Sequence, residues 1–572
     1  MNEFEIGKVT AVSPNRLKVE ILNRKVQDGK ESGVPDNMII AADRGLGPEP
    51  VTVGQPGSYV SIQISSGTLL CMVVDIALEK PKAAAENEDQ PSRFSRSNQQ
   101  RRVMNCMPVG TLDEAGQFQR GTENLPTLSS SVYPVAPEEI NKIYTGFAEG
   151  TFSLGRLSAM PSQPARINLD SFLARHSALL GQTGTGKSWT VASILQKIAK
   201  YPQACTVLLD LHGEYTEAFG DYADIISTND IELPYWLMNT EELLGLMIDP
   251  SEPEAANQAA KFKEMLQTAK EDHRENKNLG IPKITIDTPV YFDLDAIIND
   301  MGQLDRQIMQ GSAGAVIHGP MYGQFTGMLI RTEGRMRDKR YDMIFHPKTY
   351  NTSASMEDLF RRLLGKTREG GKRIVVLDIS PIPFDVRTSV IGLLMRCFYD
   401  FAYWHKRTTG RPFPLALFCD EAHLYLNDHD PDTGPSRRAA ERIAKEGRKY
   451  GISLNVVSQR PREVSATILS QCNSFICLRI TNPDDQEYVK SLLPDSTRGI
   501  VDMFNNLRRG ECIVLGDSVL MPTRILVDPP SPAPASDDVR FSEEWQKPAK
   551  EVDFEAILTA WRNQGEAVTD EG

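Results

Sequence analysis

The sequence holds few of the features that assign a chain to a class at once. Eight cysteines are scattered over 572 residues, and no two form a Cys-x-x-Cys pair. This spacing excludes the common zinc motifs and gives no disulfide framework. Several of the thiols lie in apolar, strand-like runs, so we expect reduced, buried cysteines in a cytoplasmic protein.

Membrane signals and an excess of basic residues are also missing. The opening residues MNEFEIGKVTAV have neither a basic nor an apolar region, and no apolar run approaches eighteen residues. We therefore expect no signal peptide and no membrane span. The net charge is −13, so the surface as a whole does not favour nucleic acid, although a local basic lining is compatible with an acidic exterior.

What the chain does have is a change of hydrophobic pattern along its length. Residues 4–78 alternate apolar and polar residues between Gly, Pro and Asn, which predicts a small antiparallel β-barrel within an N-terminal domain, 1–160. From 161 to 530, strand-like and helix-like runs alternate. That pattern predicts an α/β domain with a mainly parallel sheet covered on both faces.

Two further segments depart from this rhythm. A helical insertion is predicted at about 238–370, with helices at 254–273, 304–310, 322–339 and 355–364. Residues 531–572 predict a linker and a C-terminal docking helix. Over 551–563 that helix places four apolar side chains on one face: Phe554, Ile557, Leu558 and Trp561.

One octapeptide, GQTGTGKS at Gly181–Ser188, lies between a strand-like run and a run with helical spacing. It fits a phosphate-binding loop, because glycines let backbone N–H groups turn toward a phosphate and the new helix offers its positive end. Lys187 would reach the β- and γ-phosphates, and the Ser188 hydroxyl would ligate Mg²⁺. The alternative is a flexible Gly-rich turn. We predict ATP and Mg²⁺ as cofactors, with the nucleotide held by Gly181, Gln182, Thr183, Gly184, Thr185, Gly186, Lys187, Ser188 and Trp189.

Two carboxylates, Asp420 and Glu421, follow the apolar run Leu415–Cys419. In open α/β sheets ligands bind at the carboxyl ends of the strands. We predict that Asp420 holds Mg²⁺ and that Glu421 acts as general base on the attacking water. The alternative is an exposed acidic turn.

Polar residues end two other predicted strands. Gln459 could contact the γ-phosphate or be an ordinary exposed glutamine, and position alone does not decide. Asp210 and Glu214, in DLHGEY, could support Mg²⁺ or cap a turn.

A cation from outside the loop is the remaining requirement of a fast ATPase, because arginine fingers contribute several orders of magnitude in rate. Arg442, Lys445, Arg448 and Lys449 cluster before the strand that ends at Gln459. Arg175, upstream of the loop, is another candidate. A solvated basic helix face is the alternative for the cluster.

The motifs together resemble one family. GQTGTGKS, DLHGEY, LFCDEAH and EGRKYGISLNVVSQRPREVSATILSQCNS are similar to those of the HerA family of ring-forming DNA translocases and helicases. The resemblance implies a homo-hexamer of RecA-like ATPase domains, with ATP at subunit interfaces and double-stranded DNA in the pore. It makes Glu421 the catalytic glutamate, Gln459 a phosphate sensor, Arg448 an arginine finger acting in trans and Arg175 a second interface cation.

The resemblance also implies partners. HerA-like proteins pair with a nuclease of the NurA type, or with a sirtuin-like or other effector in antiphage defence, and the N-terminal barrel becomes their docking platform. No nuclease motif is visible in the chain. A basic cluster, Arg335, Arg337, Lys339 and Arg340, is interpreted as structural ion pairs in preference to pore lining.

Three functions fit these observations. The first is an ATP-driven motor on duplex DNA. The second is a nucleotide-dependent scaffold ring that assembles and regulates effector subunits. The third, a protein-remodelling or rotary ATPase, is disfavoured by the GRKYG and SQRP segments.

Overall fold

The computed structural model describes residues 5–23, 25–27, 30–32, 34–35, 37–43, 48–79, 101–135, 140, 143, 150–227, 230–310, 316–367, 370–494, 497–536, 540–547 and 552–563. The chain divides into two compact units. The first unit is Met1–Ile198 with Ser453–Ala533, and the second unit is Ala199–Ile452 with Pro534–Gly572.

An antiparallel barrel of six strands forms the start of the first unit, which confirms the predicted N-terminal barrel. Around the barrel the strands run Arg101–Leu112, Arg16–Ile21, Gly7–Ser13, Ser131–Pro134, Tyr59–Ile64 and Gly67–Glu79, and the last pairs again with the first. Alternate side chains point inward, as a half-buried strand requires, and fill a core that includes Val9, Leu17, Ile62, Leu69 and Met104. Outside this ring lie the short strands Phe118–Arg120, Lys25–Gln27, Lys30–Ser32, Ile39–Asp43 and Pro48–Thr52.

The barrel is fastened to the rest of the first unit by polar contacts. The Tyr59 hydroxyl donates to the Pro522 carbonyl at 2.5 Å, and the Arg120 guanidinium donates to the Leu520 carbonyl at 2.9 Å. Arg524 donates to the Pro56 carbonyl at 3.3 Å. The barrel therefore docks on the segment that carries Leu520 and Arg524.

A mixed sheet makes up the remainder of the first unit. Its order is Met160–Asn168, Thr151–Leu157, Thr523–Val527, Glu511–Gly516, Cys472–Cys477, His176–Leu180 and Ile452–Ser458. The pairings between the first five strands are antiparallel, and the last two pairings are parallel. The boundary predicted at residue 160 falls inside the hairpin of the first two strands, and the division into domains stays a prediction. The helices are Leu169–Leu173, Lys187–Ile198, Ala466–Ser470 and Pro483–Leu492.

In the second unit four strands are all parallel, in the order Leu415–Cys419, Thr206–Asp210, Ile374–Asp378 and Ala223–Ile226. Every residue of the first two strands is buried, which explains why they read as unbroken apolar runs. The α/β class and the mainly parallel arrangement of the predicted core strands are confirmed. The long helices of this unit are Phe384–Thr409 and Gly434–Glu446.

The predicted helical insertion is also present. Its helices are Thr240–Met247, Ala255–Asp272, Arg274–Lys277, Leu294–Asp305, Thr326–Met336, Asp342–Phe345 and Met356–Leu363. The helix predicted at 304–310 is wrong, because the helix ends at Asp305 and Ile308–Gln310 pairs with Val316–His318 as a hairpin. The Asp305 and Gln307 carbonyls accept the N–H groups of Gly323 and Gly319, so tertiary bonds replace the next helical turn.

Near the C-terminus, Phe554–Asn563 forms the amphipathic helix expected there. Its apolar side chains are exposed, with Phe554 at 68% and Trp561 at 76%. The role of this helix in docking stays a prediction. Among the helices of the described residues, none combines the length and the apolar character needed to cross a membrane.

Candidate functional site

The phosphate loop leaves the fully buried strand His176–Leu180 and enters the helix that begins at Lys187. Gly184 and Gly186 adopt φ values of +73° and +103°, which L-residues with side chains rarely tolerate. The Thr185 hydroxyl donates to the Gln182 carbonyl at 2.6 Å and closes the loop on itself. Lys187 Nζ lies 3.4 Å from the same carbonyl. The phosphate loop, called the cradle below, is therefore closed by its own hydrogen bonds, and Lys187 contributes one of them.

Residues outside the loop pack closely against this cradle. A Cβ added to Gly181 would lie 2.8 Å from the Leu478 Cβ, so only glycine fits there. The Gly510 N–H donates to the Thr185 carbonyl at 2.9 Å. The loop is thus held from outside as well as by its own bonds.

Gln459 lies beside the loop. It follows the strand Ile452–Ser458, and its side-chain oxygen accepts a hydrogen bond from the Thr183 hydroxyl. Gln182, at the start of the loop, exchanges hydrogen bonds with Thr481. An ordinary solvated glutamine would not require this contact, but sensing of phosphate by Gln459 stays a prediction.

In the second unit, Asp420 and Glu421 follow the buried strand Leu415–Cys419, and both are at least nine-tenths buried. Asp420 Oδ1 accepts the Glu421 N–H at 3.0 Å. The Tyr425 hydroxyl donates to the Asp420 carbonyl at 3.0 Å. The pair is therefore an ordered, buried feature and not the exposed acidic turn of the alternative interpretation.

Asp210 is fully buried in the same unit, and its carboxylate caps the turn that follows. Oδ1 accepts the N–H groups of His212 and Gly213 at 3.1 and 2.9 Å, and Oδ2 accepts that of Tyr215 at 3.0 Å. The turn-capping alternative for Asp210 is therefore the one its hydrogen bonds fit.

The carboxylates of the second unit act on one another electrostatically. Burial raises the pKa of Asp420 well above its ordinary value, and the charges of Glu421, Asp210 and Glu214 raise it further. Burial also raises the pKa of Asp210, with a contribution from the Asp378 charge. Each ionised carboxylate therefore destabilises the others unless a cation offsets them.

The conformation of Glu421 is unusual. Its φ is +43°, in the left-handed region that costs a non-glycine residue of order 1–3 kcal/mol and that clusters at functional sites. One carboxylate oxygen lies 3.3 Å from Nδ1 of the buried His423. The strained turn and the imidazole together fix the direction of this carboxylate.

The predicted cations differ in the contacts that their side chains make within the chain. Arg175 donates to Asp517 at 2.8 Å. Arg442 stacks on the Tyr399 ring at 4.2 Å, and Lys445 lies 3.8 Å from Glu441. Arg448 and Lys449 are exposed. Within the described ranges, no carboxylate forms an ion pair with either of these two side chains.

The basic cluster of the helical insertion is engaged internally. Arg337 lies 3.1 Å from Glu333, and Arg340 makes a charge-assisted contact with Asp338 at 2.6 Å. The Arg335 guanidinium lies 5.8 Å from the centre of the Tyr341 ring. These contacts fit the structural ion-pair interpretation.

Sequence reasoning missed two residues that position the others. His423 belongs to the same short run as Glu421, and a histidine two residues after a carboxylate was the available signal. Glu511 is fully buried, and Arg524 donates to it through two nitrogens at 2.9 and 2.8 Å. Nothing local in the sequence indicates that pairing.

A magnesium ion fits the residue types on the chain. Hard carboxylate and hydroxyl oxygens suit Mg²⁺, which usually takes one or two protein ligands and completes its shell with phosphates and water. In the described parts of the chain, no group of three or more His, Cys, Asp or Glu side chains could hold a metal by itself. Ser188 in the first unit and Asp420 in the second unit stay predicted ligands of Mg²⁺.

Comparisons with known proteins show a similarity to the HerA helicases. A family model described as "Helicase HerA, central domain" matches residues 152–398. The DNA double-strand break repair helicase HerA of Sulfurisphaera tokodaii is 26% identical over 449 residues, which cover 77% of this chain and 81% of that protein. HerA of Sulfolobus acidocaldarius is 26% identical over 448 residues, with the same coverage.

Solved structures are more distant. VirB4 of Thermoanaerobacter pseudethanolicus aligns with a TM-score of 0.39 at 16% identity, covering 66% of this chain and 96% of VirB4. The plasmid coupling protein TrwB aligns with a TM-score of 0.40 at 13% identity, covering 69% of this chain and 93% of TrwB. The central-domain match and the sequence similarity over three quarters of the chain identify this protein as an ATPase that is similar to the HerA helicases.

Proposed function

We propose that the chain is an ATP-driven motor that translocates on double-stranded DNA. One observation carries the catalytic part of this proposal: the buried pair of Asp420 and the strained Glu421, in a chain that also holds a closed phosphate cradle. A nucleotide-binding scaffold needs only the cradle. A buried carboxylate held at φ +43° is costly to keep without a catalytic use.

The roles follow from the chemistry of each side chain. Lys187 and the loop N–H groups bind the triphosphate, Ser188 and Asp420 hold Mg²⁺, and Glu421 takes the proton from the attacking water. Mg²⁺ when bound supplies positive charge that offsets the charge developing on the phosphates. Gln459, already bonded to Thr183, is suited to contact the terminal phosphate or its water.

The DNA part of the proposal rests on the family, whose relatives are named as DNA double-strand break repair helicases. A translocase must contact the phosphate backbone and ignore base sequence. We expect ATP turnover to rise with duplex DNA of any sequence and to disappear in Glu421→Gln, with bound nucleotide retained. Turnover that is indifferent to duplex DNA in the wild-type protein would contradict the motor proposal.

Arg448 is proposed as the arginine finger, acting on the nucleotide of a neighbouring copy in a hexamer. Its exposure supports this, because a finger must leave its own subunit. Mixing Arg448→Ala with Glu421→Gln subunits should restore activity at some interfaces. Strictly additive loss would place Arg448 within its own subunit or outside the site. Arg175 remains a proposed second interface cation, although Asp517 now engages it.

A scaffold ring is the second candidate, and one observation favours it. The apolar face of the helix Phe554–Asn563 is exposed, as expected of a segment that binds another subunit or an effector such as a nuclease or a defence protein. We expect the native mass of the assembly to fall when Phe554 and Trp561 are both replaced by serine. An unchanged mass and unchanged partner content would remove this support.

A further inference from the structure

A short turn, Arg508–Gly510, lies directly on the phosphate loop in the first unit. The Gly510 N–H donates to the Thr185 carbonyl at 2.9 Å. A Cβ added to Gly186 would lie only 3.3 Å from the Gly510 nitrogen. The two backbones are therefore in contact. This contact fixes the distance between the Cα atoms of the turn and the loop.

The turn is held in place by the buried ion pair of Glu511 and Arg524. Glu511 is fully buried, and its carboxylate accepts the Arg508 N–H at 3.0 Å. The same carboxylate receives two hydrogen bonds from Arg524, at 2.9 and 2.8 Å. In addition, the Val527 N–H donates to the Gly510 carbonyl at 2.9 Å. A turn fixed by this many bonds is a preorganised element.

The turn presents Arg509 to an aromatic ring. Trp189 stands in the first turn of the helix, next to Ser188, and is only partly buried. The exposed Arg509 guanidinium lies 5.9 Å from the centre of the indole. In the part of the chain that the structure describes, the buried indole Nε1 has no hydrogen-bond acceptor. Two planar π surfaces and one N–H donor without an acceptor thus lie beside the loop.

We propose that Trp189 and Arg509 form the nucleobase subsite of the bound nucleotide, a proposal that rests on nucleotide binding at Gly181–Ser188. The loop accounts for the phosphates and leaves the base without a partner. Indole and guanidinium planes both stack on a base. Because stacking does not read ring substituents, the subsite takes ATP and GTP alike and prefers purines to the smaller pyrimidines.

Equilibrium binding of two magnesium-saturated probes, ATP and inorganic tripolyphosphate, tests this subsite in the full chain. Tripolyphosphate has the phosphates without the base. Trp189→Ala and Arg509→Ala should each weaken ATP binding roughly tenfold and leave tripolyphosphate binding unchanged. Trp189→Phe keeps a ring and should lose less. Arg156→Ala, an exposed arginine of the same unit, is the matched control and should change neither.

Several results would overturn the subsite. Wild-type ATP affinity in both Trp189→Ala and Arg509→Ala is the first. The second is an equal loss for ATP and tripolyphosphate, which indicates damage to the loop. Arg509 is exposed, so its variant keeps the measurement valid if Trp189→Ala folds poorly. The third is a wild-type protein that binds neither probe, which contradicts the nucleotide site itself. Tight binding of tripolyphosphate, with no higher affinity for ATP, contradicts the subsite alone.

Discussion

The phosphate loop of the first unit and the carboxylate cluster of the second unit are built on opposite physical principles. Around the loop, backbone groups of Gln182, Thr185 and Gly510 are paired with one another, and the glycines remove steric strain. Around Asp420, buried carboxylates raise one another's pKa and Glu421 is held in a strained conformation. One region is stable as it stands, whereas the other gains most from a bound cation.

The difference fits the roles proposed above for the two regions, binding at the loop and chemistry at the carboxylates. A site that binds a constant group, the triphosphate, benefits from a rigid and satisfied cradle. A site that performs chemistry holds charges at a cost in stability, because the same charges stabilise the metal and move the proton. We expect changes in the two regions to alter stability in opposite directions.

Breaking the anchor of the loop should have the largest effect. Glu511→Gln leaves Arg524, whose side chain is only 17% exposed, without its carboxylate, and removing one partner of a buried pair costs about 3–5 kcal/mol. Thermal and urea unfolding measure the loss. Glu463→Gln is the matched control, because Glu463 pairs with an exposed arginine and should cost less than about 1 kcal/mol. Equal losses would contradict the anchoring role.

The pair of Glu511 and Arg524 should make the free energy of unfolding of the first unit fall at acid pH. Burial by itself raises the pKa of Glu511, but hydrogen bonds from Arg524 and the Arg508 N–H, together with the Arg524 charge, outweigh it and lower the pKa from 4.5 to about 2. A lowered carboxylate pKa contributes stability that is complete above pH 4.5 and is lost as the pH falls toward 2. The stability difference between wild type and Glu511→Gln should therefore shrink over this range.

The carboxylate cluster should respond in the opposite way. Asp420→Asn removes one of the mutually repelling charges and keeps an acceptor for the Glu421 N–H, so the nucleotide-free protein should gain about 0.5–2 kcal/mol while turnover is lost. A raised pKa gives stability at acid pH that is lost as the pH rises through that pKa. The gain should thus be larger at pH 8 than at pH 5.

Melting temperatures at the two pH values measure this gain. Asp221→Asn, at an exposed position of the same unit, should show none of it. A variant of Asp420 that is less stable than wild type at both pH values would mean that the cluster is not electrostatically strained.

The imidazole beside Glu421 allows a finer test. His423→Ala should lower kcat roughly tenfold, because the carboxylate loses a neighbour that fixes its direction, and should leave KM for ATP unchanged. His423→Asn keeps a donor near Glu421 and should recover part of the rate. The exposed His429→Ala is the control. A rise in KM with constant kcat would instead assign His423 to binding.

The smallest effect concerns a buried charge outside both regions. Lys270 is fully buried in the helical insertion, where it donates to the Ile286 and Thr288 carbonyls, and burial lowers its pKa from 10.5 to about 8. Between these two values the unfolded chain binds the proton and the folded chain does not, so stability rises with pH.

We expect a rise of about 1 kcal/mol from pH 8 to pH 9 in wild type and in Lys263→Met, and none in Lys270→Met. Lys263 lies on the same helix and is exposed. Chemical denaturation at the two pH values measures the difference. A parallel response of all three proteins would assign the pH dependence to other groups.

Much of this architecture could be predicted because it is locally encoded. The loop follows from one octapeptide, and the carboxylate pair follows from a buried strand that ends in charge. The helix wrongly expected at 304–310 shows the limit, because hydrogen bonds from Gly319 and Gly323, distant in sequence, divert the chain.

The parts that escaped prediction depend on long-range pairing. The pairing of Thr151–Leu157 with Thr523–Val527 joins segments more than 350 residues apart, and no local pattern encodes it. The Glu511–Arg524 anchor and the stacking of Arg509 on Trp189 have the same origin. Periodicity identifies which residues are buried, but not which buried residues meet.

The cysteines have a practical consequence for labelling experiments. All eight are free and buried, and burial raises the pKa of the Cys106, Cys397 and Cys472 thiols to about 12. Thiolate is the species that reacts with maleimides, so the native background should be silent to such dyes. A single cysteine placed on the barrel or on the last helix would then carry the label alone, and its fluorescence would report conformational changes at that position during ATP turnover.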